Sequence, residues 1–70
     1  MTRERVISTS ILSIGYEADT RILEIELASG GIYQYFKVPK RVAKDLANAA
    51  SIGRYYAKYV RNEYTFRKVR

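Results

Sequence analysis

The segment Gly30-Gly31-Ile32-Tyr33-Gln34-Tyr35-Phe36-Lys37-Val38-Pro39 marks the point at which the chain changes from one kind of secondary structure to another. Its glycine pair suits a turn, because glycine alone adopts positive φ without a steric cost. The residues that follow are rich in aromatic and β-branched types and predict a strand over 32–38. Pro39 ends that strand, since it lacks an N–H, and its fixed φ suits the first turn of a helix.

Upstream of this segment the residues alternate as they do in an antiparallel sheet. Residues 7–16 place alternate apolar side chains on one face, and residues 21–27 separate an apolar face from one that carries Glu24 and Glu26. Short polar turns join the strands, and parallel strands would need a long crossover. The pattern therefore predicts a three-stranded antiparallel meander.

Downstream of Pro39 the spacing becomes helical. The apolar positions of a first helix follow i, i+4, i+7 and i+8, namely Val42, Leu46, Ala49 and Ala50. Ser51 is a suitable N-cap for a second helix that should run to about Tyr64. The core side of that helix is predicted to carry four residues, Ile52, Tyr56, Tyr59 and Val60.

These elements predict one α+β domain over residues 1–70, with a three-stranded antiparallel β-meander followed by two helices packed on one face. Residues 1–6 are expected to be loose. The tail at 65–70 alternates weakly, so either a short C-terminal strand or a basic extension fits it.

The composition argues against most kinds of catalysis. The chain has no histidine and no cysteine, which removes the usual general base, the usual zinc ligands and any disulfide. Glu24 and Glu26 would lie about 7 Å apart on one strand face, but so small a domain cannot enclose a sugar, and we interpret the pair as a solvated face. We expect a non-enzymatic protein without a metal, a cofactor or a small-molecule substrate.

The N-terminus does not resemble a secretory signal, because charged residues at 3–5 precede no long apolar run. No stretch approaches the roughly 18 apolar residues of a membrane span. The sequence therefore predicts a cytoplasmic protein with no membrane partner.

Positive charge is concentrated in the second half of the chain. Residues 1–39 carry four Lys or Arg against five Asp or Glu, whereas residues 40–70 carry nine against two. Such asymmetry favours a polyanionic partner, although a small protein also needs net charge to stay dispersed. The candidate nucleic-acid-binding residues are Arg54, Tyr55, Lys58 and Arg61 on the second helix, with Lys40, Arg41, Lys44, Arg67 and Lys68 in support.

Two tyrosines of the third strand, Tyr33 and Tyr35, allow two interpretations. Exposed, they would form a platform on which bases stack. Buried, they would fill the space between the sheet and the helices. Burying Gln34 between them without a partner would be costly, which favours tyrosines that face the core.

Four motifs occur in order at close spacing: Ser-Ile-Gly-Tyr at 13–16, Gly-Ile-Tyr-Gln-Tyr at 31–35, Val-Pro at 38–39 and Ala-Ser-Ile-Gly-Arg-Tyr-Tyr at 50–56. Together they resemble the KTSC family, a small domain named for a segment at the C-terminus of some lysyl-tRNA synthetases and also found as a stand-alone bacterial or phage protein. The positions that match the family pattern are Tyr16, Tyr33, Tyr35, Pro39, Ser51, Gly53, Arg54, Tyr55 and Tyr56, and the pair 55–56 departs from the expected Tyr-Phe.

The resemblance implies RNA binding through the attachment of this domain to a tRNA-handling enzyme. Together with the charge pattern, it leads us to expect a small nucleic-acid-binding module, for RNA rather than DNA. The alternative is a protein-interaction or assembly module, as a homodimer or with another protein, that uses an edge or a face of the sheet.

Overall fold

A computed structural model describes residues 1–70 and contains one antiparallel sheet with two helices on one face. Five strands pair in sequence order: β1 (Glu4–Arg5), β2 (Ile11–Glu17), β3 (Ile22–Leu27), β4 (Ile32–Tyr35) and β5 (Phe66–Lys68). Helices α1 (Lys40–Ala47) and α2 (Ile52–Tyr59) connect β4 to β5.

The α+β class and the antiparallel meander are confirmed, but the predicted number of strands is wrong. Residues 1–6 are not simply loose, because β1 pairs with β2 through Glu4↔Ile14 and Arg5↔Ser13. At the other edge β5 pairs with β4, so the tail forms the short final strand rather than an extension. The two helices therefore form the connection, in chain order, between two strands that are paired neighbours in the sheet.

The register of β3 with β4 decides which way the tyrosines face. Leu23 pairs with Tyr35 and Ile25 with Tyr33, so both tyrosines lie on the helix side of the sheet. Tyr35 is only 2% exposed, whereas Tyr33 is half-buried. Gln34 lies on the opposite face, where its side chain donates a hydrogen bond to Glu24.

The predicted third strand is three residues too long. Strand β4 ends at Tyr35, and Lys37 adopts a left-handed conformation with φ of 59° that an extended strand does not contain. The chain still returns to the core, because Val38 is fully buried and its carbonyl accepts a 2.6 Å hydrogen bond from the Tyr16 hydroxyl.

Both helices are shorter than predicted. Pro39 is the N-cap of α1, which buries Val42 and Leu46 as expected but ends at Ala47, so residues 49 and 50 lie outside it. The Ser51 hydroxyl caps α2 by accepting from the Arg54 N–H at 3.4 Å.

Helix α2 ends at Tyr59 rather than near Tyr64, and the following residues form a turn. Val60 is fully buried and Tyr56 nearly so, as predicted. The assignment of Tyr59 to the core is wrong, because its side chain is 46% exposed.

The hydroxyls of Tyr35 and Tyr56 hydrogen-bond to each other within the core, and their rings meet edge to face at 5.9 Å. Either Tyr35→Phe or Tyr56→Phe should lower the free energy of unfolding by about 1 kcal/mol, because each leaves the other hydroxyl without its partner. The double variant should cost about the same as one single variant rather than the sum of both.

Urea denaturation of the two single variants and the double variant measures this coupling. Tyr55→Phe is the matched control, because the Tyr55 hydroxyl forms no hydrogen bond within the protein, and it should change the free energy of unfolding by less than about 0.5 kcal/mol. Additive effects of the two core variants would contradict the expected coupling.

Candidate nucleic-acid interface

Three cations of the second helical region lie on its outer side. Arg54 and Lys58 are exposed on consecutive turns of α2, and Arg61 is exposed just beyond the helix, where its N–H donates to the Tyr56 carbonyl at 2.9 Å. The ion pair of this structure joins Arg3 to Glu24, and none of the three cations has an acidic partner within 4 Å. Their charges therefore face solvent, and we call the three residues the α2 cation row.

The exposed ring beside this row belongs to Tyr59, not to Tyr55 as predicted. Tyr55 is half-buried between the helices, with its ring centroid 4.6 Å from that of Tyr59. The Lys58 Nζ lies 5.3 Å from the Tyr59 ring centroid. Burial, followed by the negative charge of Asp45, raises the pKa of the Tyr55 hydroxyl, which stays protonated.

The structure separates the supporting cations of α1. Arg41 borders the cleft between the helices, together with Tyr55 and Tyr59. Lys40 and Lys44 instead border a depression on the other side of α1, beside strands β1 and β2. One of the three α1 cations thus lies near the α2 aromatic residues, and two belong to a different surface.

The cations of β5 are also separated. Lys68 pairs with Tyr33 and points to the helix side of the sheet, whereas Arg67 pairs with Gln34 and lies on the opposite face. Arg67 therefore does not share a surface with the α2 cation row.

An open groove of about 610 Å³ separates α2 from strands β4 and β5. We call it the α2–β5 groove. Residues 9–10 and 27–29 form part of its lining. Its aromatic and charged or amide side chains are Tyr33, Tyr35, Tyr56, Phe66, Arg61 and Asn62. The tyrosines face the core side, as the favoured interpretation had it, and the alternative platform of Tyr33 and Tyr35 does not form. Tyr35 is buried, and the ring beside Tyr33 is that of Phe66, at 5.7 Å.

Phe66 is 56% exposed and is not among the site residues that the sequence predicts. The weak alternation of the tail was the available signal, since it predicts the same strand that places Phe66 opposite Tyr35. Gly31 also shapes this region, because a Cβ there would lie 2.9 Å from the Tyr33 ring.

The face of the sheet away from the helices carries a polar network. Arg3 forms an ion pair with Glu24 and donates to the Ser13 hydroxyl at 3.0 Å, and Ser13 in turn donates to Glu26 at 2.7 Å. The interpretation of both glutamates as a solvated pair is wrong for Glu24, which is 6% exposed.

The pKa of Glu24 reflects opposing effects. Burial acts to raise it, but hydrogen bonds from Gln34 and Arg3, with the charge of Arg3, outweigh burial and hold the pKa below its ordinary value. Glu24 is thus an ionised, paired structural residue on this face.

No group of three or more His, Cys, Asp or Glu side chains is placed to hold a metal ion. None of the helices has the length and apolar character needed to cross a membrane.

These features define an α+β domain in which two short helices cover one face of an antiparallel sheet and present a row of unpaired cations beside an aromatic groove. The sequence model of the KTSC domain matches residues 7–64. The chain belongs to the KTSC domain family.

The similar proteins agree with this assignment. A KTSC domain protein from Yersinia pestis is 39% identical and superposes with a TM-score of 0.96, over 99% of this chain and 97% of that one. A lysine–tRNA ligase of Nostoc punctiforme is 41% identical over 84% of this chain, which spans only 10% of the ligase. An uncharacterised protein of Stutzerimonas stutzeri is 41% identical over 80% of this chain and 79% of its own length.

Proposed function

We propose that this KTSC domain is a non-enzymatic RNA-binding module that contacts phosphates through the α2 cation row. One observation supports it above the others: Arg54, Lys58 and Arg61 are exposed and have no acidic partner. Like charges one helical turn apart slightly destabilise a free helix, so packing alone gives no reason for this arrangement. A polyanion would turn that repulsion into attraction and release counterions on binding.

Similarity to part of a lysine–tRNA ligase is the reason that we propose RNA as the polyanion. Part of a lysine–tRNA ligase is 41% identical to this chain, and such an enzyme handles tRNA. We propose the same class of ligand here, in the cytoplasm, where RNA of this kind occurs. We assign Arg41 and Lys68 as the supporting cations, since one borders the cleft beside Tyr55 and Tyr59 and the other lies on the helix side of β5.

An NMR titration of the ¹⁵N-labelled domain with single-stranded RNA, and separately with tRNA, tests the proposal. At low salt we expect saturable shifts at Arg54, Lys58 and Arg61, with micromolar or weaker affinity, and small shifts at Arg67 on the opposite face. The absence of saturable shifts with both RNAs would rule the proposal out.

The second candidate is a protein-interaction module, and the exposed apolar side chains of Phe66 and Val69 at the β5 edge favour it. A homodimer formed through this edge would raise the sedimentation coefficient with protein concentration. Because β5 has only three residues, such a dimer could form few main-chain hydrogen bonds, and we rank it second.

A further inference from the structure

The α2–β5 groove contains an aromatic surface that the core does not use. Phe66 lies beside both Tyr33 and Tyr35, with ring centroids 5.7 Å away in each case, yet more than half of Phe66 is open to solvent. Tyr33 is half-buried and lines the same groove. An exposed phenyl ring supported by other rings offers a flat, rigid face on which another ring can stack.

Two of the residues that line the groove are tyrosines whose hydroxyls hydrogen-bond to each other. Tyr35 and Tyr56 line the groove, and each is at least nine-tenths buried. Their two hydroxyls carry two protons, and the hydrogen bond between them uses one. No other protein atom accepts a hydrogen bond from either hydroxyl, so one of the two protons has no acceptor within the protein. Burial keeps the Tyr35 hydroxyl protonated by raising its pKa.

Positive charge lies at the entrance to the groove. Arg61 lines it and is also the last member of the α2 cation row. On the opposite side, Lys68 pairs with Tyr33, and its Cε lies close to the space above Gly31. A ligand whose ring entered the groove could therefore place an adjoining phosphate near Arg61 or Lys68.

We infer that the α2–β5 groove takes one unpaired base of single-stranded RNA, stacked on Phe66 and Tyr33, while Arg61 holds a neighbouring phosphate. This inference rests on the proposed function and specifies its ligand as a strand with an accessible base rather than a duplex. A base complements the groove in two ways, because its ring can stack on Phe66 and its acceptor atoms can receive the free hydroxyl proton. A paired base presents neither its face nor its pairing edge.

The test compares two exposed aromatic residues, one inside the groove and one outside it. Phe66→Ala removes the stacking surface, and Tyr59→Ala is the matched control, because Tyr59 is 46% exposed but does not line the groove. The probes are a fluorescent eight-nucleotide uridine RNA and an abasic strand with the same backbone. Fluorescence anisotropy gives the Kd of each protein for each probe, and amide spectra confirm that the variants are folded.

We expect Phe66→Ala to weaken binding of the uridine strand roughly 10-fold and to leave binding of the abasic strand unchanged within about 2-fold. Tyr59→Ala should change the affinities for the two probes by the same factor, because Tyr59 lies beside the α2 cation row but outside the groove. In the wild-type complex, intermolecular NOEs should join the Phe66 ring to base protons.

The remaining outcomes distinguish a failure of the groove inference from a failure of the proposed RNA-binding function. If the wild-type domain binds both probes equally well and Phe66→Ala has no selective effect, the RNA-binding function stands and the groove inference is overturned. A loss confined to the uridine strand in both Phe66→Ala and Tyr59→Ala would also overturn it, since such a loss indicates base stacking on any exposed ring. If neither probe binds, both proposals fail.

Discussion

Replacing Arg54, Lys58 and Arg61 together by glutamine is expected to reduce the salt dependence of RNA binding by about two units of log–log slope. Each phosphate neutralised on a single strand contributes about 0.7 to that slope, because binding releases condensed counterions. Three contacts alone would cost the wild-type domain roughly 20-fold in affinity between about 50 and 200 mM salt. The affinity of the triple variant should be lower at low salt and should change little between about 50 and 200 mM salt, because it lacks the three phosphate contacts that release counterions.

A control with the same change of charge separates a defined surface from general attraction. Arg5, Arg21 and Lys37 are exposed and lie outside the helices, and replacing them by glutamine also removes three positive charges from a formal net charge of +6. We expect the slope of this control to stay within about 0.5 of the wild-type value. Equal slopes for the two triple variants would mean that net charge alone attracts RNA, and the α2 cation row would lose its role.

The sequence was most informative where a regular pattern coincided with burial. The alternation of β3 placed Leu23 and Ile25 correctly in the core, and the helical spacing did the same for Val42 and Leu46. Such positions can be predicted from sequence because one face of each helix or strand must be apolar, whichever element packs against it. The Ser51 cap was also predictable, because it depends on residues within one turn.

The short strands could not be predicted from the sequence pattern in the same way. Strand β1 has two residues and β5 has three, too few for any periodic signal. They exist because β2 and β4 offer unpaired edges, which is a property of the assembled sheet and not of the segments. The length of α2 was misjudged because Val60 and Tyr64 continue the i, i+4 spacing although the helix ends at Tyr59.

The candidate site was only partly predictable. The exposure of Arg54, Lys58 and Arg61 could be predicted from their position opposite the apolar side of the helix. The aromatic residue of the groove, Phe66, could not be predicted in this way. Phe66 joins Tyr33 through a contact between residues 33 positions apart, which a local pattern cannot show. The separation of Arg67 from Lys68 likewise depends on the register of β5 with β4.

Removing the side chain of Arg3 should destabilise the domain far more than its place near the N-terminus suggests. Arg3 lies over Gly15, where a Cβ would approach the Arg3 side chain within 2.9 Å, and from there it pairs with the buried Glu24. At neutral pH we expect Arg3→Ala to lower the free energy of unfolding by about 2–3 kcal/mol, because a nearly buried carboxylate loses its countercharge. The cost stays below that of a fully buried pair because the Arg3 side chain is 26% exposed.

The pH dependence of this loss identifies Glu24 as its cause. In the wild-type protein the pKa of Glu24 lies below its ordinary value of 4.5, so its stabilising contribution is complete above pH 4.5 and is lost as the pH falls through the lowered pKa. In Arg3→Ala the hydrogen bond from Gln34 remains, but the hydrogen bond and charge of Arg3 are lost, so the pKa of Glu24 rises and protonation relieves the unpaired charge. The stability difference between the two proteins should therefore narrow as the pH is lowered from 7 to 3.

Urea denaturation across this pH range gives the measurement, with Arg5→Ala as the matched control. Arg5 lies two residues further along, is exposed and has no acidic partner, so its removal should cost less than about 0.5 kcal/mol at every pH. Adding Glu24→Gln to Arg3→Ala should recover part of the loss at pH 7, because the neutral amide needs no countercharge. A difference between the wild type and Arg3→Ala that stayed constant with pH would place the effect of Arg3 in its packing over Gly15 and its hydrogen bond to Ser13 instead of in its charge.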